Sequence, residues 1–128
     1  LPTRTKISTR AKGQHAEQIA VRHLKDKGYR IIDRNFVCKL GEIDIIATHQ
    51  GDLVFVEVRS RHSALGLDPA YSIDTRKQNK IIKTAQVYLE RCFPRTPTAR
   101  FDVVLVTLAE PTQVEIIPDA FRVEDSRF

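Results

Sequence analysis

Leu53-Val54-Phe55-Val56-Glu57-Val58-Arg59-Ser60 is apolar on both of its alternating faces until a carboxylate and a guanidinium interrupt one of them. Side chains of a strand point alternately to opposite faces. Val54, Val56 and Val58 therefore share one face, and Leu53, Phe55, Glu57 and Arg59 the other. A strand that is apolar on both faces is covered on both sides. The preceding stretch, Gly41-Glu42-Ile43-Asp44-Ile45-Ile46-Ala47-Thr48, reads as another such strand, and His49-Gln50-Gly51-Asp52 between them is a short turn. Two strands around a short glycine-containing turn predict a hairpin.

Outward from this hairpin the pattern is regular. Lys12 to Lys27 reads as a helix with Gly13, Glu17, Ala20, Val21 and Leu24 on one stripe, and Gly28 is its C-terminal cap candidate. Arg30 to Val37 alternates as a strand, and residues 61–73, with Gly66 and Pro69, read as a loop. Asp74 or Thr75 caps a second helix that runs to about Cys92 and stops before Pro94 and Pro97. Its apolar stripe is Ile81, Ile82, Ala85, Tyr88 and Leu89, and Arg76, Lys77, Lys80 and Lys83 lie opposite. Phe101 to Leu108 is a strongly apolar strand, and Val114 to Ile117 a short last one. The order helix, three strands, helix, strand, strand predicts an α/β fold. In it the first three strands form an antiparallel meander, and the second helix crosses over to set the fourth beside them in one mixed central sheet. Residues 1–11, with Arg4, Lys6 and Arg10, read as a loose basic arm, and residues 12–128 as a single domain.

The carboxylates carry the chemistry. An ionised Glu57 in a strand covered on both sides costs several kcal/mol unless a cation or strong donor offsets it. The same holds for Asp44 among Ile43, Ile45 and Ile46. If the two strands pair, Asp44 and Glu57 meet and repel, and a hard divalent cation, Mg²⁺ or Mn²⁺, relieves the repulsion. Such an ion orients water and offsets charge on a phosphodiester. Arg59, two residues beyond Glu57, can contact the phosphate. Glu17 is a third carboxylate on an apolar stripe and can point into the same site, or simply complement its helix dipole. Glu57 and Arg59 can also form an ordinary ion pair near a sheet edge.

The chain has 21 Lys+Arg against 16 Asp+Glu, a net charge of +5, which favours an anionic partner such as nucleic acid. Cys38 and Cys92 lack zinc-site spacing and fit a reducing compartment. No apolar run spans a bilayer, and Leu1 to Lys12 lacks a secretion-signal core, so a cytoplasmic protein without a membrane role is expected. His15, His23, His49 and His62 read as surface residues. Arg61 and His62 follow the third strand, at the expected mouth of the site, where Arg61 can touch phosphate. Asp102 reads as a strand-edge charge or a support for the site.

Gly41-Glu42-Ile43-Asp44 followed by Phe55-Val56-Glu57-Val58-Arg59 resembles the signature of the PD-(D/E)XK nuclease superfamily. Within it the chain is similar to the YraN-type bacterial family, whose fold is similar to archaeal Holliday-junction resolvases. Gly13-Gln14-His15-Ala16-Glu17, Gly28-Tyr29-Arg30-Ile31-Ile32, Arg34-Asn35-Phe36, and Lys77-Gln78 with Lys80 resemble further blocks of that family, from about residue 12 to residue 105. The resemblance implies a restriction-endonuclease-like three-layer core. It implies that Asp44 and Glu57 bind metal, that Glu17 completes the acidic site, and that Gln78 lies near the active centre. Lys77 and Lys80 would face substrate backbone. Arg59 stands where the superfamily usually has Lys; Arg stays protonated, so it can stabilise charge but cannot take a proton from water. The expectation is a Mg²⁺- or Mn²⁺-dependent endonuclease of DNA, acting on branched or damaged structures, with Lys77, Lys80, Lys83 and Arg61 holding the backbone. The alternatives are a non-catalytic or weakly catalytic nucleic-acid-binding module and an RNA-directed nuclease. A symmetric four-way junction would favour a homodimer.

Overall fold

The computed structural model describes residues 9–63 and 73–123, with side chains from Gly13 onward. Most of the basic arm, residues 1–8, and most of the expected loop, residues 64–72 with Gly66, Pro69 and Tyr71, lie outside the described residues.

Helix α1 spans Thr9–Asp26, beginning three residues before the expected Lys12, and strand β1 spans Arg30–Cys38. Gly28 ends the α1 turn at φ +90°, with the Tyr29 amide donating to the Leu24 carbonyl at 3.0 Å. Only a residue without Cβ takes that conformation freely. Strands β2 (Gly41–His49) and β3 (Asp52–Arg61) follow, then α2 (Thr75–Cys92), β4 (Ala99–Thr107) and β5 (Gln113–Phe121). The β2–β3 turn has Gln50 and Gly51 both at positive φ, the geometry that matches the twist of a two-residue hairpin. Asp74, rather than Thr75, caps α2, accepting from the Lys77 amide at 2.8 Å.

The five strands form one sheet in the order β1-β2-β3-β4-β5. β1, β2 and β3 are antiparallel neighbours, β3 and β4 are parallel, and β5 returns antiparallel. The parallel pair requires a crossover, which α2 supplies. Three layers result. Leu53 and Phe55 of β3 pack with Ile81, Ile82, Ala85 and Tyr88 of α2. Val54 and Val56 pack on the other face with Ala16, Ala20, Val21 and Leu24 of α1. The expected fold order and the two-sided burial of β3 are both present.

Three further expectations differ. β5 runs nine residues, Gln113–Phe121, not Val114–Ile117. It includes Pro118, which an outer strand tolerates because the missing N–H can face solvent. The pairing steps from Val103↔Ile117 to Phe101↔Phe121, with Asp119 at φ +52° in the irregular stretch. Asp102 lies opposite that irregularity and is fully buried, not at a strand edge. It accepts from Tyr29 Oη (2.7 Å), Arg100 Nε (3.0 Å) and the Asp119 amide (2.9 Å). His49, read as a surface residue, stacks on Tyr29 with ring centroids 3.9 Å apart. Its Nδ1 lies 2.6 Å from Arg100 Nη2. A guanidinium only donates, so Nδ1 is the acceptor and the ring proton sits on Nε2. Burial, then the hydrogen bond to Asp102, pushes the Tyr29 hydroxyl up to about 12.

Candidate functional site

The β2–β3 register runs from His49↔Asp52 to Ile45↔Val56. Beyond it, the Asp44 carboxylate takes the place of a strand carbonyl, its Oδ2 accepting from the Val58 amide at 2.8 Å. The polar side chain is thereby set between two strands whose remaining residues are apolar. Glu57 is buried, 9 % exposed, on the neighbouring strand, and its Oε2 lies 3.6 Å from Lys77 Nζ of α2. The two carboxyls are close enough to share a hydrogen bond. Asp44 is raised from 3.8 to about 7, first by burial and then by the Glu57 charge. The Val58 amide partly offsets this, and the Glu17 charge adds to it.

Asp44 opens on a cleft of about 510 Å³ lined by Glu17, Asn35, Glu42, Val58 and Ser60. Glu17 is 7 % exposed on α1, and its Oε1 accepts from Arg34 Nε (3.3 Å), Arg34 Nη2 (3.1 Å) and Asn35 Nδ2 (3.0 Å). These β1 residues were not singled out as site residues. Asn35 is at φ +56°, a conformation that Asn tolerates better than most residues. That preference, within an otherwise ordinary strand, was the available signal.

A second groove, of about 360 Å³, lies between α2 and the β1–β2 hairpin and is lined in part by Lys39, Lys77 and Lys80. Lys83 is exposed, one turn farther along α2. The hairpin seats closely on α2 at Gly41 (φ +155°), where an added Cβ would stand 3.0 Å from Thr84 Oγ1 and 3.6 Å from Lys80 Cγ. Thr84 is fully buried and bonded to the Lys80 carbonyl at 2.8 Å, so it cannot easily yield. Gly41→Ala is expected to cost about 1–2 kcal/mol, read as a lower denaturant midpoint with an unchanged m-value.

The other expected residues are placed as follows. Arg59 is half-buried on the Glu57 face of β3, beside Leu105 of β4. Gln78 Nε2 donates to the Ile73 carbonyl at 2.8 Å and so fastens the start of α2. Arg61 Nε donates to Thr107 Oγ1 at 3.0 Å and lines a separate hollow with Gln113 and Glu115, away from the Asp44 cleft.

Among the described residues no group of three or more His, Cys, Asp or Glu side chains is placed to hold a metal ion by itself. Asp44 and Glu57 meet, whereas Glu17 is close but fastened to β1. Two carboxylates suit a hard six-coordinate cation that keeps several waters, so the donor set fits Mg²⁺ or Mn²⁺ on Asp44 and Glu57. No helix among the described residues is long and apolar enough to cross a membrane.

Comparison with known proteins adds the following. Residues 16–106 match the family described as "Uncharacterised protein family UPF0102". A UPF0102 protein of Clostridium botulinum (strain Hall) is 45 % identical over 115 residues, covering 87 % of this chain and 94 % of the relative. One from Caldanaerobacter subterraneus is 43 % identical over 104 residues, covering 80 % and 84 %. Among solved structures, a repair endonuclease from Pyrococcus abyssi aligns at 17 % identity with a TM-score of 0.40. That alignment covers 82 % of this chain and spans 41 % of the solved one.

Proposed function

We propose that this chain, which belongs to the UPF0102 (YraN-type) family, is a metal-dependent endonuclease that hydrolyses DNA phosphodiester bonds. The observation that carries this reading is the pair of buried carboxyls, Asp44 and Glu57, brought together where β2 and β3 part. Such a pair is costly to the fold unless a cation or a shared proton offsets its repulsion, and a divalent cation would turn it to phosphodiester chemistry. Asp44 and Glu57 would hold Mg²⁺ or Mn²⁺, whose charge offsets the negative charge that builds on a phosphodiester during hydrolysis.

The chain's own residues supply the rest. Val58, through its amide, fixes one Asp44 oxygen. Arg34 and Asn35 hold Glu17 at the rim of the cleft, where it can orient a water. Arg59 carries a permanent positive charge on the Glu57 face and steadies the phosphate without taking a proton. Lys77, Lys80 and Lys83 hold flanking phosphates along α2.

The test is cleavage of linear, flapped and four-way-junction DNA, with matched RNA, in Mg²⁺ and in Mn²⁺. Cleavage that requires the ion supports the reading; binding without cleavage on every substrate overturns it. That second result would favour a non-catalytic binding module, a reading favoured by the Lys77 ammonium, which already lies 3.6 Å from Glu57.

Binding should be electrostatic. Removing two phosphate contacts in Lys77→Ala plus Lys80→Ala is expected to make the log–log salt dependence of affinity shallower by about 1.5–2. Fluorescence anisotropy over a salt series checks this; an unchanged slope would remove the α2 lysines from the interface.

A further inference from the structure

Four large hydrophobic side chains are exposed among the described residues: Ile32, Val37, Leu40 and Val123. Two of them share one hairpin tip. Val37 is 63 % and Leu40 45 % exposed, at the end of β1 and in the Lys39-Leu40 turn that leads into β2. Single apolar residues on a surface require no explanation, but two on a projecting tip beside a candidate site do. The tip also stands between two cavities. Val37 lines the cleft that holds Asp44, and Val37, Lys39 and Leu40 line the groove that holds Lys77 and Lys80. That groove carries three lysines against one carboxylate, Glu42. A ligand that suits it must be anionic along its length and offer an apolar surface at the tip.

The geometry points to nucleic acid with a base freed from its stack: Val37 and Leu40 contact the exposed base while Lys39, Lys77 and Lys80 hold the phosphates on either side. Apolar wedges enter an intact duplex only at the cost of unstacking a base step. At a gap or unpaired segment that cost is reduced or already met, so the tip selects interrupted over continuous duplex. This inference rests on the nucleic-acid reading above and adds the feature of the substrate that is recognised.

The experiment compares an intact duplex with the same duplex carrying a short gap, both labelled, with a 2-aminopurine at the gap margin. Ca²⁺ replaces Mg²⁺ to limit cleavage. Wild-type protein is expected to favour the gapped duplex by about tenfold or more, the size of one avoided unstacking event. It is also expected to raise the 2-aminopurine emission. In Val37→Ser plus Leu40→Ser the preference and the emission rise should both disappear, and in the apolar replacement Leu40→Met both should persist. Both side chains are exposed, so a thermal melt close to wild type is expected and confirms that the double variant is folded. A preference retained in the double variant, or absent from the wild type, overturns the inference and leaves the nuclease reading standing. Wild-type protein that binds neither duplex overturns both. A dimer that becomes a monomer in the double variant, with base selectivity unchanged, assigns the tip to self-association and overturns the inference.

Discussion

Asp44→Asn is expected to lower ion-dependent cleavage by about a thousandfold or more, because one of the two carboxylates proposed to hold the metal is lost. The same change should stabilise the fold above neutral pH. The sign follows from linkage. Asp44 ionises near its ordinary 3.8 in the unfolded chain but near 7 when folded, owing to burial first and the Glu57 charge second. Between those values the folded state holds a proton that the unfolded state has released, so stability falls as pH rises. The penalty is absent at lower pH, grows from about pH 4 and is complete above about pH 7. Its size is on the order of a few kcal/mol. An amide carries no such penalty and can still accept from the Val58 amide. Denaturant melts of wild type and Asp44→Asn, measured without divalent ions from pH 5 to pH 8, should therefore diverge with rising pH in favour of the variant. Added Mg²⁺ should close that gap by stabilising the wild type alone. Parallel melting curves for the two proteins would show that the two carboxyls do not strain the fold.

The second large effect concerns stability alone. Asp102→Ala is expected to cost about 3–5 kcal/mol, the range for removing one partner from a buried ion pair. The carboxylate is fully buried and satisfies Tyr29 Oη, the Arg100 guanidinium and the Asp119 amide together. Arg100 also reaches Asp52 at 3.2 Å, so the strand that bears Asp102 is tied through it to the beginning of β3. Without Asp102 a mostly buried guanidinium, a tyrosine hydroxyl and a main-chain donor lose their common acceptor. The thermal midpoint should fall by roughly 10–20 °C. Asp102→Asn keeps some acceptors and loses the charge, so it should fall between wild type and Asp102→Ala. A loss within about 1 kcal/mol for Asp102→Ala, the size of an ordinary surface change, would mean that water replaces the carboxylate.

Side-chain alternation made the middle of the sheet legible. Val54 and Val56 belong under α1 and Leu53 and Phe55 under α2, as the period of two requires. Glu57 and Asp44 stood out because charge interrupts an apolar strand, and such a signal survives without any knowledge of partners. Asp102 gave the same signal in β4, where a charge near an expected strand end resembles an edge charge; burial rules out that one of its two readings. Its meaning lies in Tyr29, 73 positions away, and in an irregularity of β5 beyond the expected end of that strand. The clamp on Glu17 was hidden for a related reason. Arg34 and Asn35 are exposed residues on an outer strand, where polar side chains are normal, and only the left-handed turn of Asn35 brings its amide to the helix. Arg61 was placed at the site by its position after β3, but Thr107 and the β4–β5 side hold it elsewhere.

Both margins of the sheet are interrupted. β1 slips register between Ile31 and Asp33 and turns left-handed at Asn35, while β5 carries Pro118 and the positive-φ Asp119. Neither offers the straight row of free donors and acceptors that another strand needs to pair with. A second molecule would therefore find no template for extending the sheet, and cross-β growth from the native state is blocked at both ends. A twofold assembly would then have to bury helical or loop surface instead.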